Sequence, residues 1–497
     1  MRQGLRIAVI AAAMVLASQA SVQAQAADPA AVVQAGPLTA EQTAAIDRYV
    51  RAEMGRQRLP GLAIGVYRHG EPVYLKGHGL ADVEWETPVG TDTRMQTGSL
   101  GKQFVATAIL KLAEEGRVAL DAPVSRYFPE ATASWDGVTV AHLLSHTSGI
   151  GSYDNPELTR PGGTFDLRRD YTEDELAAGI AALPVEFAPG EGWSYNNTNY
   201  VLLGILIHRV TGQPYGDYLR DAFFTPLGMT ATRVISDRDI IPRRASGYEF
   251  RGGVLLNQDW VSRTFNSTAD GTIYSTIEDM GRWDRALYDN TLLSADSMQR
   301  MWTPFPLADG TANPGRYGFG WNINTLNRHR RIMHNGAWQG FTSTMTRYPD
   351  DGITVVAFAN LGAGDGRPDL IARVVAGLAD PALMPATFPA LPDNAERAGR
   401  LRDFLMRAAS GADLTGDFVA GSPYRPDPEQ ARDLAASLPE GWRTAPMVLV
   451  SDTTREDGSG RYGYRVGPEG NQRLFTVALA ASGRVQGYGV AADPDNR

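Results

Sequence analysis

The sequence predicts a two-part α/β chain of the α+β type: an antiparallel sheet flanked by helices with a helical subdomain, then a small C-terminal α+β domain. Three observations carry this. At 497 residues and 43% hydrophobic content, the chain is long enough for more than one core. Strand signals lie at both ends of the region before residue 381, separated by helical stretches and Gly/Pro-rich loops from about Asp121 to Asn290. Four prolines then interrupt the pattern between Pro381 and Asp393, and about a hundred residues with helices preceding strands follow.

Taken in order, residues from about Asp28 to Pro37 read as a short lead. Leu38 to Arg58 has helical periodicity, with Thr39 placed to cap it ahead of Glu41 and Gln42. Leu62 to Tyr67 and Pro72 to Gly77 form a strand pair turning at His69-Gly70. Ser99 to Glu115 reads as one long helix closed by Gly116, and Tyr200 to Val210 as another, strongly apolar one. Short, turn-bounded strands are expected at Tyr317–Asn324, Arg330–Met333, Phe341–Tyr348 and Ile353–Asn360, with a helix at Leu370–Leu378. Strands from both ends would join in one sheet covered by helices, giving a domain over 38–380 and a linker over 381–394. In 395–497, helices are expected at Ala395–Ala409 and Pro428–Leu438. Strands follow at Met447–Ser451, Tyr462–Val466, Leu474–Leu479 and Val485–Val490.

The N-terminus carries Arg2 and Arg6, an apolar run from Ile7 to Ala17, and small residues ending at Ala24 or Ala26. This pattern reads as a secretory signal peptide over 1–26, its apolar run too short to span a bilayer. It predicts a periplasmic or secreted bacterial protein with no stable membrane insertion after cleavage. The chain has no cysteine, which excludes disulfides, a thiol nucleophile and thiolate metal sites. Its formal charge of −9, with no lysine-rich patch, argues against nucleic acid as a partner.

Lysine occurs only at 76, 102 and 111, although lysine and arginine together number 47. Lys102 ends Ser99-Leu100-Gly101-Lys102 at the start of the long helix. Arginine cannot serve as a base, whereas a lysine whose environment lowers its pKa can activate a neighbouring serine. Ser99 precedes its helix, so its backbone N–H is free to face a developing oxyanion. The alternative is an N-cap serine followed by a surface charge. A second segment, Tyr195-Asn196-Asn197, lies in the loop before the apolar helix. There Tyr195 can shuttle a proton or sit in the core with its hydroxyl satisfied. Asn197 can hold Lys102 and a substrate carbonyl, or cap the helix. A third, His334-Asn335-Gly336-Ala337, ends a predicted strand, and His334 would also suit a structural role beside an Asn-Gly turn.

These three segments, in this order and rough spacing, resemble the motifs of the penicillin-recognising serine hydrolases. The similarity is to the branch holding class C β-lactamases, family VIII esterases, D-aminopeptidases and D-Ala-D-Ala carboxypeptidases. Leu143-Leu144-Ser145-His146-Thr147-Ser148-Gly149 and Tyr317-Gly318-Phe319-Gly320-Trp321 are similar to further stretches of that branch. The resemblance covers about Leu38 to Leu378. It implies a β-lactamase/transpeptidase-like fold with Ser99 as nucleophile, Lys102 and Tyr195 as the proton relay, and Asn197 holding Lys102 and substrate. It further implies an oxyanion hole from the N–H groups of Ser99 and Ala337, with His334 and Gly336 along the strand where substrate lies. The substrate would be a small ester or peptide, possibly cell-wall derived, cleaved without metal or organic cofactor.

Two departures narrow the expectation. The Ser-Asp-Asn triplet of class A relatives is absent, and histidine stands at 334 where β-lactamases and transpeptidases usually have lysine. Histidine loses its charge near neutral pH, which shifts the expectation from β-lactamase or carboxypeptidase towards esterase or D-amino-acid peptidase. A third reading is a non-turnover protein that binds cell-wall peptides. His142 and His146 have the i, i+4 spacing of zinc ligands on a helix, but no glutamate base lies between them. The aromatic run from Tyr317 to Trp321 suits pocket lining and sheet core equally.

Overall fold

The computed structural model describes residues 37–492 apart from 252, 327, 364–365, 385–389, 421, 423, 456 and 470. The expected signal segment 1–26 and part of the expected linker lie outside the described residues. The chain divides into two compact units, the break falling between Met384 and Pro385.

In the first unit, seven antiparallel strands form one sheet. Its order is Thr87–Pro88, Glu71–Asp82, Gly61–Arg68, Ile353–Ala359, Phe341–Tyr348, His329–Trp338 and Asn322–Leu326. The N-terminal strand pair thus meets the C-terminal meander at its centre, with Leu62 opposite Ala359 and Arg68 opposite Ile353. Alternation sends side chains to two buried faces. Leu62, Ile64, Val66, Val355 and Ala357 pack under the helices Ala40–Gln57 and Pro368–Ala379. Ala63, Tyr67, Val356, Phe358 and Met345 face the larger core around Phe104, Ile109 and Trp283. Thr39 caps the first helix through a capping box with Gln42, as its position in the sequence predicts.

The helical region holds the helices Val140–Ser145, Glu173–Ala181, Asn197–Thr211 and Tyr215–Leu219. Asn197–Thr211 is buried from Thr198 to Ile207, which accounts for its apolar character on every side. No helix among the described residues is long and apolar enough to cross a membrane.

Three local expectations need correction. The segment before Asn322 is a turn, Gly318 N–H bonding Trp321 O, and the strand runs instead over Asn322–Leu326. Gly320 takes φ +77° there and lies on the lysine helix, where a Cβ would stand 3.0 Å from Lys102 O. The strand Arg330–Met333 continues through His334 to Trp338, so Asn335-Gly336 is extended backbone and not a turn. The helix expected from Ser99 opens with a 3-10 turn, Gly98–Gly101, before regular helix begins at Lys102.

In the second unit, the helices Ala395–Ser410 and Pro428–Ala436 accompany a four-stranded antiparallel sheet, Met447–Asp452, Gly460–Val466, Arg473–Leu479 and Val485–Ala492 in spatial order. Its own core joins Leu401, Phe404 and Leu434 to Tyr464, Phe475 and Val477.

Candidate active site

Residues three apart eclipse in a 3-10 turn. Lys102 therefore lies over Ser99, with Nζ 2.9 Å from Oγ. The turn is fixed from several sides. Thr97 N–H donates to Ile273 O at 2.8 Å, and Ser343 Oγ donates to Thr97 O. Gln103 Nε2 donates to Leu100 O at 3.0 Å, while its Oε1 accepts from Trp283 Nε1 at 2.7 Å. The first backbone bond of the turn runs from Leu100 N–H to Thr97 O, so the Ser99 N–H lies ahead of the bonded ladder.

Two glycines let the strand His329–Trp338 cross this turn at backbone contact. Gly98 takes φ +53°, and a Cβ on it would stand 2.3 Å from Ala337 N. A Cβ on Gly336 would stand 1.9 Å from Thr97 O. Ser99 is half-buried and Ala337 exposed, while Gly336 is covered. The amide of Ala337 is thereby brought beside the turn that carries Ser99.

Lys102 is fully buried, and burial pulls its pKa down from 10.5 to about 8, with the charges of Asp270 and Asp154 opposing the fall. Its Nζ also donates to Asn197 Oδ1 at 2.8 Å and to the backbone carbonyl of Asp270. A neutral amine has two N–H groups and one lone pair. With Asn197 and Asp270 taking the N–H groups, the lone pair is left for the Ser99 hydroxyl. Asn196, not Asn197, caps the following helix, accepting from Thr198 N–H at 2.8 Å, and this leaves the Asn197 side chain free for Lys102.

Tyr195 keeps 38% of its surface exposed at the mouth of the site, and its ring lies 5.1 Å from Lys102 Nζ. Burial of its hydroxyl pushes its pKa well up, a hydrogen bond with Ser99 opposes this, and Asp270 and Asp154 add to the rise. Tyr195 is thus a neutral phenol at ordinary pH. His334 is buried, and its pKa is pushed down to about 3 by burial first and by the charge of Lys102 second. Its Nδ1 meets Asn335 O at 2.6 Å, and a carbonyl only accepts, so Nδ1 carries the proton. Nε2 therefore accepts from Tyr317 OH at 2.8 Å. The third motif carries no charge in the neutral range.

The sequence-derived set is brought together: Lys102 touches Ser99 and Asn197, Tyr195 touches Ser99, and Gly336 and Ala337 cross the serine turn. His334 lies one layer further in, its ring centroid 6.0 Å from that of Tyr195. Sequence reasoning missed two carboxylates, Asp154 and Asp270, while Tyr317 and His146 stand in segments it singled out without placing them beside Tyr195. Asp154 accepts from Asn197 Nδ2 at 2.7 Å, and Asp270 accepts from Tyr153 OH at 2.8 Å besides holding Lys102. Tyr317 is fully buried, with its ring centroid 4.6 Å from that of His146. The ring of His146 lies 4.4 Å from that of Tyr195. Asn196 N–H donates to His146 Nδ1 at 3.2 Å, so the proton sits on Nε2, which is buried with no partner among the described residues. The i, i+4 histidine spacing does not lie on one helix face, because His146 takes φ +63° just past the end of Val140–Ser145. No cluster of three or more His, Cys, Asp or Glu suited to a metal occurs among the described residues.

A 3-10 serine turn under an antiparallel sheet edge, with a buried lysine against the hydroxyl, defines a serine hydrolase of the penicillin-recognising superfamily. The β-lactamase family matches residues 46–379, and the chain belongs to it. It is 31% identical over 306 residues to penicillin-binding protein 4* of Bacillus subtilis (strain 168), covering 59% of this chain and 66% of that protein. The match thus spans just under two thirds of that relative. The D-amino acid amidase of Ochrobactrum anthropi SV3, solved with L-phenylalanine, superposes with a TM-score of 0.58 at 28% identity, covering 69% of this chain and 98% of that one. The octameric penicillin-binding protein homologue from Pyrococcus abyssi shares the fold over 88% of this chain and 96% of its own, with a TM-score of 0.61 at 22% identity.

Proposed function

We propose that this chain is an exported serine hydrolase that forms a covalent acyl-enzyme on Ser99 and cleaves esters, or amides and peptides of D-amino acids. The observation that carries this reading is the buried Lys102 amine, 2.9 Å from Ser99 Oγ with a pKa brought down to about 8. Neutral Lys102 takes the proton of Ser99 as Oγ attacks the acyl carbon. The oxyanion is met by the N–H groups of Ser99 and Ala337. As the carbon–leaving-group bond breaks, Tyr195 passes its proton to the departing oxygen or nitrogen and is reprotonated from Lys102. Water then attacks the acyl-enzyme through the same relay and frees Ser99. Asn197 and Gly336 line the path of the substrate, with the buried His334 one layer further in.

Similarity to a D-amino acid amidase supports the amide substrate, and a neutral His334 supports substrates that need no fixed ammonium at that strand. The β-lactamase or D-Ala-D-Ala carboxypeptidase alternative draws its support from the 31% identity to a penicillin-binding protein. We further propose that 1–26 is a signal peptide directing the chain to the periplasm or medium, that 38–380 is catalytic, and that 395–497 is an accessory domain beyond the linker 381–394. The test is a panel of p-nitrophenyl acetate, D-alanine p-nitroanilide and a chromogenic cephalosporin, followed by intact-mass analysis. Turnover of the ester or D-amide that vanishes in Ser99→Ala supports the reading. Full turnover in Ser99→Ala overturns it, and a permanent adduct without product release would make the chain a peptide-binding protein.

A further inference from the structure

We propose that Asp154 is a positioning residue for the base: its carboxylate locks the Asn197 amide with oxygen towards Lys102, which turns the Lys102 lone pair onto Ser99. This rests on Ser99 and Lys102 being nucleophile and base.

A side-chain amide has two nearly isosteric orientations, and its surroundings choose between them. With the amide reversed, Asn197 Nδ2 would face Lys102 Nζ. A protonated Lys102 would then meet donor against donor, and a neutral one would accept from Nδ2 and lose the lone pair that Ser99 needs. Asp154 forbids this, because a carboxylate only accepts. Its Oδ2 lies 2.7 Å from Asn197 Nδ2, and Asn197 Oδ1 lies 2.8 Å from Lys102 Nζ. The carboxylate is itself held, since Ser152 Oγ donates to Asp154 Oδ1. Ser152 Oγ also lies 3.2 Å from the oxygen of Asn196, the cap of the next helix. Asp154 makes no ion pair with an arginine or lysine among the described residues, so its contact with Asn197 is not an incidental part of a salt bridge.

The charge has a second effect. The groups facing Lys102 are Asp154 from its loop, Asp270 on the 268–271 loop, Tyr195 just before the helix Asn197–Thr211, Tyr200 within that helix, His146, and His334 on the strand. Burial keeps both histidines neutral and the tyrosines stay phenolic. The charges acting on Lys102 are therefore the two carboxylates. Removing one makes the ammonium easier to deprotonate. At about 6–7 Å, two hydrogen bonds away, a unit charge in an effective dielectric of about 20–80 moves the pKa by roughly half a unit to two units.

The experiment measures kcat/KM and kcat for p-nitrophenyl acetate against pH in the full chain, for wild type, Ser99→Ala, Asp154→Asn, Asp154→Ala and Asp154→Glu. Asp154→Asn loses the charge and, able to donate as well as accept, favours the Asn197 orientation without enforcing it, so its acid limb is expected roughly half to two pH units below wild type with a partial loss of plateau kcat. Asp154→Ala loses orientation as well, and its plateau kcat is expected to fall about ten- to a hundredfold, with partial recovery in Asp154→Glu. Far-UV circular dichroism and melting temperature establish folding, and the near-isosteric Asn variant keeps the test valid if the Ala variant does not fold. Wild-type profiles in the folded Asp154 variants, or a uniform loss with the acid limb unmoved in Asp154→Asn, overturn the proposal while Ser99 remains essential. Turnover surviving in Ser99→Ala instead brings down the nucleophile reading.

Discussion

Between pH 6 and 9 the activity should follow the titration of one amine. A lysine at its ordinary 10.5 would be neutral in only about 0.03% of molecules at pH 7. With the pKa at about 8, about 9% are neutral at pH 7, half at pH 8 and about 91% at pH 9. The base must be neutral to accept a proton, so activity is lost as pH falls through 8 and gained as it rises. kcat/KM should therefore climb about tenfold from pH 7 to 9 and then level off. No histidine of the site complicates this window, because His334 is held near 3 and burial keeps His146 well below its usual value. The assay is the initial rate on p-nitrophenyl acetate, corrected for spontaneous hydrolysis, from about pH 5.5 to 9.5. Lys102→Arg keeps a cation but no base, so it should lose about a thousandfold or more and should not be rescued by raising pH. A flat profile would refute the reasoning. So would an inflection near 6.5 that disappears on changing a histidine.

Other consequences follow from packing. Gly336→Ala places a methyl 1.9 Å from Thr97 O, so strand and serine turn must separate. Activity should drop about a hundredfold or more, with a lowered melting temperature in the same preparation. His146→Ala empties the space against the Tyr195 and Tyr317 rings, which lie 4.4 and 4.6 Å from the imidazole. It should lower kcat while leaving the acid limb in place, since His146 is neutral throughout, and the pH profile checks this. Asp284 and Arg347 are both fully buried, with Oδ1 and Nε 2.6 Å apart, and they tie the helix Ile277–Tyr288 to the sheet. Asp284→Ala strands the guanidinium and should cost about 3–5 kcal/mol in urea unfolding, whereas activity per folded molecule should change little.

Much of the frame could be read in advance because it rests on local signals. The first helix carries its own cap at Thr39, and Phe341–Tyr348 and Ile353–Ala359 are apolar runs bounded by turns. The three motif segments were equally legible, each holding residue types whose chemistry is specific. What stayed hidden is non-local. Nothing near Asp154 in the sequence says that its carboxylate meets Asn197, 43 residues further on. Asp270 contributes a backbone carbonyl to Lys102, and any residue type can do that. Asn-Gly at 335–336 looked like a turn because its sequence suits one. Its glycine serves another need, the contact with Thr97. The i, i+4 rule failed for His142 and His146 because the helix ends between them.

The histidine of the third motif and the lysine of the first are best understood together. Lys102 pushes the pKa of His334 down, so the two groups share one field. A second ammonium at 334 would act back on Lys102, and two like charges in a buried site cannot both be retained. With a neutral imidazole there, the balance at Lys102 is set by burial against the two carboxylates alone. His334→Lys tests this. The new amine should move the acid limb of kcat/KM to lower pH relative to wild type, or remain neutral itself and leave its own titration below that of Lys102. An acid limb that moves upward would mean that position 334 does not repel the base.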